Sequence, residues 1–305
     1  MPTAIRRSSW ERTPTEITLG VRGIDALNLL SRYSVLTTWH FPALLGGNSH
    51  NWQERLRLLF DGGFVERPVQ LKRHFNAMNR PRGYKATPQG LRAVGKSAAD
   101  LPRGSGSPPH DLMASDLMAS FEIGAKENGI RFITWQELLN SKSMPEATRN
   151  LPKPWAIPVP YQGKTYSVEA DAEPFGLQIT RDGRNIYYFC LIEADMNTMG
   201  LESATFERSS IVKKFTLYLE CERLGLFKQH FGVNMVVPFF TIDYGHRKKM
   251  QSLLDKISGG TGSKIILFGG VYPPFEAKNI PKPSGRALHM TYERVGYDPF
   301  QFLSE

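Results

Sequence analysis

Apolar positions in the first hundred residues recur at helical spacing and are interrupted at short intervals by glycine. Ile24, Leu27, Leu29 and Leu30 hold one face of a helix that runs to Tyr33. Leu36-Thr37-Thr38 opens a short second helix that reaches Leu44-Leu45 and stops at Gly46-Gly47. Asn48 or Ser49 caps a third, in which Trp52, Leu56, Leu59 and Phe60 fall at i, i+4, i+7 and i+8. Asp61-Gly62-Gly63 ends it. The period then changes to two: Phe64-Val65-Glu66-Arg67 reads as a short strand and Gly83-Tyr84-Lys85-Ala86 as its partner. Thr87-Pro88 supplies an N-cap and a proline at the first helical position, so a further helix follows.

Beyond residue 110 helices and strands mix. Residues 110–128 and 135–139 have helical patterns, with the strand Ile130–Ile133 between them. Ala156–Tyr161 and Lys164–Ala172 form a hairpin around Gln162-Gly163, and Phe175–Thr180 continues the sheet to a turn at Asp182-Gly183. Asn185–Ile192 is nearly continuous in apolar residues, as in a strand covered on both faces. A helix over 209–224, a strand over 233–242, a helix over 245–257 and a strand over 264–268 complete the series. This order predicts an α/β (α+β) domain with a mixed sheet flanked by helices. The stretch from Pro273 to Glu305 reads as a tail wrapping that domain.

Composition locates the seam. Pro-Arg-Gly-Ser-Gly-Ser-Pro-Pro at 102–109 resists both helix and ladder, which predicts domains at 1–101 and 110–305. Charge steps at the same place: residues 1–109 carry 16 Lys and Arg against 7 Asp and Glu, whereas 110–305 hold 22 of each. All of the +9 net charge therefore lies in the first third, the footprint of a polyanion-binding module joined to a neutral partner. Cys190 and Cys221 form no CxxC pair and no zinc-spaced cluster. The apolar runs are too short to span a membrane, and the polar first ten residues do not read as a signal peptide. The expectation is a soluble cytoplasmic protein.

A three-helix unit closed by a two-stranded hairpin is the winged helix-turn-helix arrangement, whose third helix enters the major groove while the hairpin loop follows the phosphates. Asn51, Gln53, Arg55 and Arg57 lie on the polar side of the third helix, and these residue types read base edges bidentately. Arg67, Lys72, Arg73, Arg80, Arg82 and Lys85 populate the hairpin, where phosphate contact fixes register. The alternative for all of them is an ordinary solvated face. Double-stranded DNA is the expected partner.

Two carboxylates stand out in the second domain. Asp171 ends one expected strand, and Glu193 ends another, followed by Ala194 and Asp195. Acids at neighbouring strand ends can share Mg²⁺, which keeps waters and activates one of them. Equally, strand ends face water and often carry acids.

The order of these features resembles the replication-relaxation family of plasmids and other mobile elements, which pairs a winged helix with a restriction-endonuclease-like PD-(D/E)xK domain. The matching segments are Arg55–Gly63, His110-Asp111-Leu112, Ala170-Asp171-Ala172, Glu193-Ala194-Asp195 and Lys214-Phe215-Thr216-Leu217-Tyr218. The resemblance implies a DNA-binding accessory protein of replication, relaxation or mobilisation, with a relaxase or replication initiator as a protein partner. It also implies the rival of a Mg²⁺-dependent nickase using Asp171 and Glu193 as metal ligands, with Asp195, Lys213, Lys214 and Tyr218 around them. A third reading is a winged-helix repressor. Two departures bear on the choice: Ala170 replaces a proline, and Asp195 stands where the motif has lysine, which reverses the local field. Lys213 or Lys214 can return an ammonium from the next helix, or Lys214 and Tyr218 can simply brace the acids.

Overall fold

The computed structural model describes residues 11–71, 81–197, 199–203, 205–273 and 281–303 of the 305. The fold is mixed α+β. It divides into two compact units, Met1–Asp116 with Phe275–Pro283 and Leu117–Pro274 with Ser284–Glu305. Among the described residues no helix is long and apolar enough to cross a membrane.

In the first unit α1 (Val21–Leu30), β1 (Leu36–Thr37), α2 (His40–Leu45), α3 (Ser49–Asp61), β2 (Val65–Glu66), β3 (Gly83–Ala86) and α4 (Pro88–Arg92) follow in order. Asn48 is the cap of α3, its side chain accepting from the His50 amide at 2.7 Å. Thr87 caps α4 ahead of Pro88 and accepts from the Gly90 amide. The strands are antiparallel in the order β1-β3-β2.

β1 departs from the helix expected at Leu36. Leu36 and Thr37 pair with Tyr84 and Gly83, and a β-branched threonine suits that pleated setting. The helix waits until His40, whose buried ring fixes the corner. Thr37 N donates to Nδ1 at 3.1 Å, which leaves Nε2–H to donate to Asp116 at 2.9 Å. Gly90 is required by a close approach, since a Cβ there would lie 2.1 Å from the Phe64 carbonyl oxygen and 3.1 Å from Leu27. Gly90→Ala is therefore expected to destabilise the first unit by about 2–3 kcal/mol through overpacking. Thermal melting checks this; an unchanged midpoint would refute the close-packing argument.

α5 (Pro108–Glu127) is one continuous helix, and the division between the units falls within it rather than at 102–109. Residues 102–107 have no regular structure. Pro108 and Pro109 are nonetheless helical, because the first turn needs no amide hydrogens. The preceding loop is tied down, with Ser105 N and Oγ donating to Asp111 at 2.6 and 2.7 Å.

The second unit continues with β4 (Arg131–Ile133), α6 (Trp135–Leu139), α7 (Glu146–Arg149), β5 (Ile157–Tyr161), β6 (Lys164–Val168), β7 (Phe175–Arg181), β8 (Arg184–Cys190) and β9 (Glu193–Asp195). Then come α8 (Ile211–Leu224), α9 (Leu226–Phe231), β10 (Val237–Thr241), α10 (Tyr244–Ile257), β11 (Ile266–Phe268), α11 (Arg286–His289), β12 (Tyr292–Arg294) and β13 (Tyr297–Phe300). Two antiparallel hairpins, β5–β6 and β7–β8, turn at Gln162-Gly163 and Asp182-Gly183, and positive φ at all four residues matches the strand twist. β4 lies antiparallel on the other side of β7.

A five-stranded sheet runs β13-β12-β11-β10-β9, with β9, β10 and β11 parallel. The chain passes from the first sheet to this one just after β8: Val236 N donates to Phe189 O and Leu191 N to Val236 O. Behind it Phe215, Tyr218, Phe231, Phe239 and Phe268 belong to one buried cluster. The stretch read as a wrapping tail instead supplies β12 and β13, which extend the sheet beyond β11.

Candidate functional site

The β7–β8 hairpin brings Asp171 and Glu193 together. Neither acid ends a strand as the sequence suggested. Asp171 lies in the connection between β6 and β7, and Glu193 opens β9 rather than closing β8. The shift follows from the backbone: Asp171 N donates to Ile192 O at 3.0 Å, and Ala194 N donates to Asp171 Oδ2 at 2.9 Å. Asp171 is thereby clipped across the junction that carries Glu193.

α8 supplies the other partners. Ser210 caps it by accepting from the Lys213 amide, and Lys214 and Tyr218, four apart, share the face turned to the acids. The Lys214 ammonium donates to Asp171 Oδ2 at 3.2 Å, to Oδ1 at 3.4 Å, and to Glu193 Oε2. Tyr218 donates its hydroxyl to Glu193 Oε1. The Glu193 and Tyr218 side chains are fully buried, whereas those of Asp171 and Lys214 retain 15% and 21% exposure.

The electrostatics follow. Burial, with Asp171 alongside, pushes the Glu193 carboxyl up to about 8. Burial opposes the Lys214 charge, but Glu193 and Asp171 outweigh it and raise its pKa. Burial and Glu193 hold the Tyr218 phenol well above its ordinary value, so it remains a donor.

Two other expected members stand apart. Lys213 turns away: its ammonium donates to Glu207 O and lies 5.1 Å from the Tyr166 ring centre. Asp195 engages His246 Nε2 at 2.6 Å and accepts from Asn197 N at 3.0 Å. Burial raises its pKa, and the histidine opposes the rise. Sequence reading missed His246. Asp243 caps α10 and accepts from the His246 amide, and Thr241 pairs with Asp195 across β10 and β9, so the histidine starts a helix beside that acid. An Asp-x-x-His following a strand was the available signal.

This donor set does not fit a divalent ion as folded. All four oxygens of Asp171 and Glu193 already accept from protein donors. Among the described residues no group of three or more His, Cys, Asp or Glu converges to hold a metal. A cleft of about 650 Å³ lies elsewhere, lined by the other face of α8 (Val212, Thr216, Arg223) with Tyr161, Phe206 and Tyr297.

On the basic unit, Asn51 and Gln53 are exposed on α3, while Arg55 and Arg57 are half-buried. Arg57 donates to Asp61 at 2.7 Å and to the Glu11 carbonyl at 3.0 Å, so it already braces α3. Lys85 is exposed and ion-paired with Glu66 at 2.7 Å, a surface pair that water and salt readily loosen. Arg82 is half-buried.

Arg67 is a correction to the expected phosphate contacts. It is 7% exposed, donates to the Tyr84 hydroxyl at 2.6 Å, and its guanidinium lies 4.4 Å from the Phe60 ring centre. Strand alternation explains this, since Val65 and Arg67 share the inward side and Glu66 the outward one. Lys72, Arg73 and Arg80 lie outside the described residues. No family model, curated protein or solved structure matches this chain.

Proposed function

We propose that this chain binds duplex DNA through a winged-helix first unit and serves as an accessory or regulatory protein of a plasmid or other mobile element. Its second unit is read as a restriction-endonuclease-like domain that does not cleave. The observation carrying the DNA-binding part is the charge step: the whole +9 lies ahead of residue 110, in the stretch that carries α1 to α4 and the β1-β3-β2 sheet. Asn51 and Gln53 stand exposed on α3, where a groove-entering helix presents base-reading side chains. The role in replication, relaxation or mobilisation, and a relaxase or initiator as partner, rest on the family resemblance.

Fluorescence anisotropy with labelled duplex tests the reading. Affinity is expected to fall steeply with salt, and the Arg73→Ala, Arg80→Ala, Arg82→Ala variant should lessen the log–log slope by about 1 for each phosphate no longer neutralised. No binding at low ionic strength would remove the proposal, and an unaltered slope would remove the wing assignment. Supercoiled plasmid incubated with Mg²⁺ or Mn²⁺ is expected to stay supercoiled. Nicking abolished by Asp171→Ala would replace this reading with the nickase.

A further inference from the structure

We propose that Lys214 is a built-in counter-ion occupying the place a divalent cation would take between Asp171 and Glu193, so that lysine and metal exclude one another. The inference stands on the geometry of the second unit and does not depend on DNA binding.

The ammonium touches both oxygens of Asp171, at 3.2 and 3.4 Å, and Oε2 of Glu193. It thus bridges two carboxylates from two different segments, which is the task a shared metal ion performs. Tyr218 and Ala194 N take further positions on the same acids. One helix face delivers the cation and the phenol together, so the arrangement is a property of α8 rather than a stray surface contact.

Size and charge make the two cations alternatives. Mg²⁺ binds through one or two carboxylates while retaining several waters, and Glu193, only 1% exposed, offers no room for that shell beside an ammonium. A doubly charged ion placed next to Lys214 would also meet unscreened repulsion in a poorly solvated setting. Without the ammonium, two hard-oxygen ligands remain facing a space vacated by a long side chain. That is a fair beginning for a divalent site.

Mn²⁺ serves as the probe, its free concentration read by electron paramagnetic resonance against the full-length wild type, Lys214→Ala and Lys214→Ala/Asp171→Asn. The wild type is expected to show no Mn²⁺ site that depends on Asp171. Lys214→Ala should gain one site, roughly tenfold tighter or more than any in the wild type, and lose it again in the double variant. Lys214→Gln, which keeps polarity without charge, is read in the same way if the alanine variant does not fold. Asp171-dependent Mn²⁺ binding by the wild type would overturn the proposal, as would folded Lys214 variants that bind no better than wild type.

Discussion

Replacing Lys214 with methionine is expected to lower the stability of the second unit by about 3 kcal/mol above about pH 8, where Glu193 is ionised, and by less below it, where the acid is already protonated. Methionine keeps much of the stem's volume, so the loss reports charge rather than packing. It strands Glu193, which is almost wholly buried and holds one oxygen against the lysine. Breaking a buried pair by removing one partner costs about 3–5 kcal/mol; the lower figure applies because Lys214 keeps 21% exposure. Lys214→Met/Glu193→Gln should recover a good part of the loss, since the acid no longer ionises, with a coupling of about 1–3 kcal/mol in a double-mutant cycle. Chemical denaturation supplies the numbers. A single variant within 0.5 kcal/mol or so of wild type would mean that the ion pair contributes nothing.

Arg67→Ala should cost the first unit about 2–4 kcal/mol, a value typical of breaking a buried polar interaction and leaving a void. The guanidinium lies 4.4 Å from the Phe60 ring centre and 4.9 Å from that of Tyr84, and it donates to the Tyr84 hydroxyl. Its removal leaves a void and takes a donor from a buried phenol. Arg67→Lys should rescue little, because an ammonium cannot reproduce a planar group stacked on rings. Lys85→Ala makes the contrast: exposed and paired only at the surface, it should leave stability almost unchanged. If Arg67→Ala melts like wild type but loses DNA affinity, the residue contacts phosphate after all.

Much of the architecture was legible in residue order. Asp182-Gly183 and Gln162-Gly163 announced hairpins because each turn needs two residues at positive φ. Thr87-Pro88 announced a helix start. β1 was not legible, since two residues carry no periodicity and its pairing with Tyr84 and Gly83 reaches 46 to 48 positions along the chain. β12 and β13 escaped notice for a related reason: each is short, and their role depends on β11 having an edge to extend. At the acid site the sequence placed Asp171, Glu193, Lys214 and Tyr218 in order but could not choose between Lys213 and Lys214. That choice depends on the rotation of α8, which the Ser210 cap and the buried Phe215 and Tyr218 settle. Arg67 was misread because a charge count treats every arginine alike, whereas strand alternation turns this one inward.

The β7–β8 hairpin has a kinetic corollary. The two acids flank it, so a local turn is expected to draw them together early, whereas Lys214 joins them when a helix from later in the chain docks. The ammonium bridge then belongs to the late side of the folding barrier. Methionine at 214 should accordingly quicken unfolding while leaving the refolding rate nearly alone, giving a chevron whose right arm rises and whose left arm stays in place.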